Sequence, residues 1–102
     1  MEDIIYHVVK PVYWAQFSDK DNYVPERYEE EGFIHCCTEA QIDHVLTNYY
    51  KGVPKIFLLQ IEVERLTSEL KWEPAIGQLF PHIYGPMNKE AVVDMRTIKQ
   101  VV

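Results

Sequence analysis

Apolar residues recur at two periods along this chain, and the places where the period changes divide it into short elements. Ile4 to Lys10 is a β-branched run stopped by Pro11, which predicts a strand. Ile5, His7 and Val9 fall on one face and Ile4, Tyr6 and Val8 on the other. Both faces are largely apolar, as in a central strand. Tyr13 to Phe17 predicts a short helix, and Asp19 to Val24 a loop. Pro25, with Glu26 close behind, opens a short helix that Gly32 ends. Phe33 to Cys37 reads as a second short strand, with Phe33, His35 and Cys37 on one face. Thr38 followed three residues later by Gln41 is a capping pattern. Ile42, Val45, Leu46 and Tyr49 then recur at helical spacing, so Glu39 to Tyr50 is an amphipathic helix.

Lys55 to Val63 is the most hydrophobic strand and belongs at a sheet centre. Leu66 to Leu70 reads as a turn or helical segment, and Leu70 to Glu73 as an edge strand closed by Pro74. Gly77 to Pro81 reads as a loop. His82-Ile83-Tyr84 is a short extended piece cut off by Gly85-Pro86. Asn88 caps a single turn, Lys89 to Val92, and Val93 to Val102 returns as a strand. No repeat or linker divides residues 1–102, so they form a single domain. Helices and short strands mix without regular βαβ alternation, which makes the fold class α+β.

Composition narrows the partners. The apolar fraction of 47% and charged fraction of 25% are those of a folded globular domain. A net charge of -6 with ten scattered basic residues argues against a nucleic-acid surface. Glu29-Glu30-Glu31 is a solvated helix face. No secretory leader is visible, and no apolar run approaches the ~20 residues of a membrane span. Cys36 and Cys37 are adjacent, which opposes their side chains on a strand and leaves reduced thiols. A cytoplasmic protein without membrane contact is expected.

Chemistry concentrates in a few segments. In Gly32-Phe33-Ile34-His35-Cys36-Cys37-Thr38 a histidine sits on a strand beside a helix N-terminus, where free N–H groups favour an anion such as phosphate. The alternative is a core histidine bonded to a backbone carbonyl. Phe80-Pro81-His82-Ile83-Tyr84-Gly85-Pro86 fixes its backbone with two prolines and a glycine and places His82 and Tyr84 on one face. His7, on the first strand, reads more simply as a satisfied core residue. Trp72-Glu73-Pro74 is a turn that could set one carboxylate against a pocket, where desolvation would raise its pKa. His44 falls on the exposed side of its helix. A cysteine nucleophile or a three-histidine metal site is conceivable, but neither has a supporting spacing.

Taken in order, Tyr6-His7, Trp14, Glu31-Gly32-Phe33-Ile34-His35-Cys36, Gln41, Trp72-Glu73 and Phe80-Pro81-His82-Ile83-Tyr84-Gly85-Pro86 resemble the bacterial domain-of-unknown-function family nine-five-two over nearly the whole chain. Cys37 stands where that family commonly has Ser or Thr. The resemblance implies an ADP-ribosyltransferase-like fold, a small split, bent mixed β-sheet flanked by two or three helices, with NAD or a related nucleotide bound in the cleft. It implies transfer or cleavage at the N-glycosidic bond, with NAD as substrate and no metal. His7 would hydrogen-bond a ribose hydroxyl or the carboxamide. His35 would orient the ligand. His82, with Tyr84, would close the pocket or assist an oxocarbenium-like transition state. His35 and His82 are thus the catalytic candidates, and His7, Trp14, Tyr84 and Thr38 the ligand-binding ones. The catalytic Glu typical of such transferases has no clear counterpart; Glu73 is a poor match for it. The alternatives are a catalytically inactive ligand- or partner-binding module and a three-histidine metal-dependent hydrolase.

Overall fold

In the computed structural model, which describes residues 2–100, the extended runs pair into three groups of strands. The first group is β1 (Ile4–Val9), β4 (Lys55–Glu62) and β8 (Val92–Lys99), with β4 in the middle. The second is β3 (Ile34–His35), β6 (Gln78–Tyr84) and β5 (Glu69–Ala75), with β6 in the middle. The third pairs β2 (Asn22–Tyr23) with β7 (Met87–Asn88). Every strand pairing among the described residues is antiparallel. Tyr6 and Cys37 exchange two backbone bonds of 2.8 Å each and join the first two groups. Three helices complete the α+β fold: α1 (Pro11–Ala15), α2 (Tyr28–Glu31) and α3 (Ile42–Tyr49). No helix among the described residues is long and apolar enough to cross a membrane.

The two-residue alternation of β1 explains why both its faces are apolar. Ile5 and Val9 join Leu59, Ile61, Ile34, Ile83 and Met87 in one buried cluster. Tyr6 and Val8 join Ile56, Leu58 and Phe80 in a second, covered by Ile42, Val45 and Leu46 of α3. The strand is therefore sandwiched, yet it lies at a sheet edge rather than at the centre, because only β4 pairs with it along its length.

Proline placement accounts for most differences from the expected elements. Pro11 ends β1 but also opens α1, since its fixed φ and missing N–H suit the first helical turn. Pro74 does not close β5; the strand runs to Ala75 because it is an edge strand and can do without one donor. Gly77 to Pro81 is not a loop. Ile76 and Gly77 make a tight turn, and Gln78 onward is strand. Pro81 sits inside the central strand, where its carbonyl accepts from Cys36 N–H at 3.0 Å. It has no N–H to return, so the ladder with β3 stops after two residues.

Smaller corrections follow. The Asp19–Val24 segment contains β2, α2 begins at Tyr28 rather than Pro25, and the Glu39–Gln41 turn is 3-10 before α3 begins. A 3-10 turn at Val63–Arg65 precedes the Leu66 segment. Gln41 Oε1 does reach back to the Thr38 N–H, at 2.9 Å. Asn88 does not cap Lys89–Ala91; its side chain turns to Thr67 N–H and Arg65 C=O instead, at 3.0 and 2.9 Å. The last two residues of the expected C-terminal strand, Val101 and Val102, lie outside the described residues.

Ile76 has φ +50 and is 64% exposed. A β-branched residue there is strained, at a cost on the order of 1–3 kcal/mol, and loses little packing if removed. Ile76→Gly is expected to stabilise the protein by about 1 kcal/mol after the entropy cost of glycine, raising Tm by roughly 4–8 °C. An unchanged or lower Tm in a calorimetric scan would refute the strain.

Candidate functional site

Residues opposite one another on paired strands share a face. In the second sheet His35 lies opposite His82, and His82 opposite Lys71, so one row crosses all three strands. Tyr84 lies opposite Glu69, and Glu73 opposite Phe80. One face thus carries His35, His82, Lys71, Glu73 and Tyr84. The other presents Ile34, Ile83, Leu70 and Trp72 to the core. Phe33, just before β3, stacks on His82 with ring centroids 4.1 Å apart and planes at 22°. It also contacts His35 at 4.7 Å and Tyr84 at 5.3 Å between ring centroids.

Glu73 is the hub of this face. One of its oxygens, Oε1, accepts from His82 Nδ1–H at 2.7 Å and from the Tyr84 hydroxyl at 2.6 Å. The Tyr84 bond first, and the His82 bond second, hold the Glu73 carboxyl below its ordinary range. The same bond pushes the Tyr84 hydroxyl up. The expectation that a pocket would desolvate Glu73 and raise its pKa is overturned, because the side chain is 35% exposed and has two donors. The His82 side chain is only 9% exposed. With Nδ1–H given to the carboxylate, its Nε2 is the free acceptor, and that atom has no protein partner among the described residues and is not sealed from solvent. His35 lies alongside, its ring centroid 5.2 Å from that of His82 and its Nε2 3.3 Å from Glu31 Oε1.

His7 has a different environment. Its Nδ1 is 2.6 Å from the His35 carbonyl oxygen and its Nε2 is 2.8 Å from the Tyr23 hydroxyl. A carbonyl only accepts, so the proton sits on Nδ1 and the Tyr23 hydroxyl donates to Nε2. Burial pushes the imidazole down to about 4, which keeps it neutral. His7 thereby clips β1 to β2 and to the peptide of His35, and in this arrangement neither nitrogen is left for a ligand.

A cleft of about 770 Å³ runs between β1 and this face, and His7, His35 and His82 all border it. Its volume is that of a small-molecule site. The edge of β1 forms one wall. Because Tyr6 spends its N–H and C=O on Cys37, strand alternation turns those of Val8 to the same edge. The Val8 carbonyl accepts from the Tyr50 hydroxyl at 3.3 Å, whereas its N–H has no partner among the described residues. Phe33, His35 and His82 border the cleft as well, and Lys10 and Arg27 bring cationic groups to its lining beside the carboxylates of Glu26 and Glu31, with Arg27 Nη2 3.2 Å from Glu30 Oε2.

The remaining candidates are dispersed. Trp14 packs its ring 5.2 Å from that of Tyr23, away from the cleft lining. Thr38 has its N–H committed to Gln41 and does not line the cleft either. Tyr84 adjoins the site through Glu73 and Phe33. Cys36 and Cys37 are free thiols and buried; burial raises both, Cys37 to about 12, which removes the thiolate a nucleophile needs. The three histidines do not converge on a metal position, since His7 is fully hydrogen-bonded, and no metal-holding group occurs among the described residues. His44 is half-buried rather than outward, with its Nε2 enclosed and unpaired. Glu73, which sequence reasoning weighed as a carboxylate against a pocket without counting it among the site residues, joins Lys71 and the Val8 peptide, which it missed. The first two were visible as polar residues alternating with Leu70 and Trp72; the third is a backbone group with no sequence signal.

The family described as "Protein of unknown function (DUF952)" has a model that matches residues 8–95. The chain belongs to the DUF952 family. Val8, His35, Glu73, His82 and Tyr84 all fall within the DUF952 match, and His7 lies just before it. The crystal structure of protein CC0527 from Caulobacter crescentus is similar to this DUF952 protein with a TM-score of 0.87 and 25% identity, over 96% of this chain and 88% of that one. The solution NMR structure of CC0527 gives a TM-score of 0.81 at 24% identity, over 98% and 88%. No curated protein matches the chain.

Proposed function

We propose that this DUF952 protein binds NAD or a related nucleotide in the cleft and acts on its N-glycosidic bond, as an ADP-ribosyltransferase-like enzyme of the cytoplasm. The observation that carries the reading is the unpaired N–H of Val8, beside the Val8 carbonyl, at the edge of a cleft walled by Phe33, His35 and His82. A carboxamide is the complement of such a peptide edge. Its oxygen accepts from the Val8 N–H while its amino group donates to the carbonyl, which has a second lone pair beside the Tyr50 bond. The planar ring bearing that carboxamide then lies against the aromatic and imidazole wall. Lys10 and Arg27, which share the lining with Glu26 and Glu31, are the cationic groups a pyrophosphate would meet. The ionised Glu73 and polar His82 supply the field that favours positive charge developing on a ribose. His35 orients the ligand at the open end, and His7 acts by holding the His35 peptide in place.

The test is calorimetric titration and thermal shift with nicotinamide, NAD and ADP-ribose, followed by assay of nicotinamide release. NAD at 100 times its dissociation constant is expected to add about 2.7 kcal/mol of stability. Binding without release of nicotinamide would identify the inactive ligand-binding module. No heat and no shift with any of the three at about 1 mM would reject the reading.

A further inference from the structure

The Glu73–His82 pair has a property that ligand binding does not use. With Nδ1–H held on a carboxylate 2.7 Å away, Nε2 is the one imidazole atom open to accept a proton. Phe33 stacked at 4.1 Å and the Tyr84 bond of 2.6 Å to the same carboxylate oxygen fix both partners. The charged and titratable groups around His82 are Lys71 and Glu73 on β5, Tyr84 on its own strand, and His35 with Glu31 behind it on the β3 side. Among the described residues no sulfur or hydroxyl on this face is free to act as a nucleophile: the Tyr84 hydroxyl donates to Glu73, and Cys36 and Cys37 are buried and protonated.

We propose that His82 is the general base for a hydroxyl acceptor, water or an alcohol group, entering the cleft, and that Glu73 is its positioning residue. The proposal rests on the nucleotide reading for its donor. The acceptor O–H passes its proton to His82 Nε2 as its oxygen bonds to the anomeric carbon of the ribose. The C–N bond breaks, and its electron pair goes to the ring nitrogen of nicotinamide, neutralising the pyridinium charge. The leaving group thus needs no proton, and the base serves the acceptor alone. His82 then releases its proton to water. An imidazole base matches a hydroxyl acceptor best. A carboxylate acceptor needs no base, and a guanidinium, with a pKa above about 12, holds its proton too tightly for imidazole to remove.

The experiment measures NAD affinity and nicotinamide release, with water and with added methanol as acceptor, for the wild type, His82→Gln, Glu73→Gln and Glu73→Asp. The expected result is formation of free ADP-ribose and, with methanol, its methyl glycoside. His82→Gln should lower kcat by at least about 100-fold, well beyond its effect on NAD affinity. Glu73→Gln should lower kcat with little change in KM, and Glu73→Asp should recover part of the loss. Glu73 is partly exposed, so its variants keep the proposal testable if His82→Gln fails to fold. Imidazole NMR of the free protein should show His82 protonated on Nδ1 and lose that preference in Glu73→Gln. Absent NAD binding overturns both the donor reading and this one. NAD binding with no transfer to water or methanol, or with transfer indifferent to His82→Gln or Glu73→Gln, overturns this proposal alone.

Discussion

Lowering the pH from 6.5 to 4 is expected to remove about 3 kcal/mol of stability through His7 alone. In the unfolded chain the imidazole titrates near its ordinary 6.5; in the fold, burial holds it at about 4. Above 6.5 both states are neutral and the contribution is complete. Between the two values the unfolded state binds the proton and the native state does not, so stability falls as pH falls. Protonation would also leave Nε2 as a donor facing a hydroxyl that now has to accept, and would bury a charge in the core. Glu73 acts in a lower window. Its depressed carboxyl contributes above its ordinary 4.5 and is lost only as pH falls below that value. Urea melts across this range should show the slope set in near pH 6.5, and His7→Gln should flatten it. A wild-type stability constant down to pH 4.5 would contradict the neutral, buried His7.

The second large effect is at Ile83. It is 0% exposed, sits mid-strand in β6, and lies opposite both Ile34 and Leu70. Ile83→Ala is expected to cost about 2–5 kcal/mol, because the neighbouring strands cannot collapse into the space without breaking register. The cavity opens directly behind His82 and Tyr84, whose side chains point the other way from the same strand. Ligand binding should therefore weaken in Ile83→Ala even though the residue touches nothing in the cleft. A loss below about 1 kcal/mol by urea melt would show that the sheet is not packed as described.

The site was legible where side-chain alternation carried it. His82 with Tyr84, and Phe33 with His35, read as sharing faces from sequence, and the register of β3 with β6 brings those two faces together. Glu73 was visible as a possible pocket carboxylate, but its place on the His82 face was hidden because Pro74 appeared to end its strand, whereas an edge strand tolerates a proline and continues into a hairpin. The same misreading of Gly77 to Pro81 concealed most of β6. His7 was rightly suspected of being a core residue on residue type, but its partners, the Tyr23 hydroxyl and the His35 carbonyl, are brought to it by strands of other sheets. The Val8 peptide belongs to a third kind of feature. Its availability depends on where the Tyr6–Cys37 bridge stops, which is a matter of tertiary structure.

The reading of the cleft turns on that peptide. Backbone-amide NMR during a titration with nicotinamide follows it directly. The Val8 N–H resonance is expected to shift downfield and saturate as it gains an acceptor, together with shifts at Phe33, His35 and His82. The protection of Val8 against hydrogen exchange should rise in step. A Val8 resonance that stays fixed while others saturate, or no saturable shift along β1 at all, would contradict a ligand amide held on this edge.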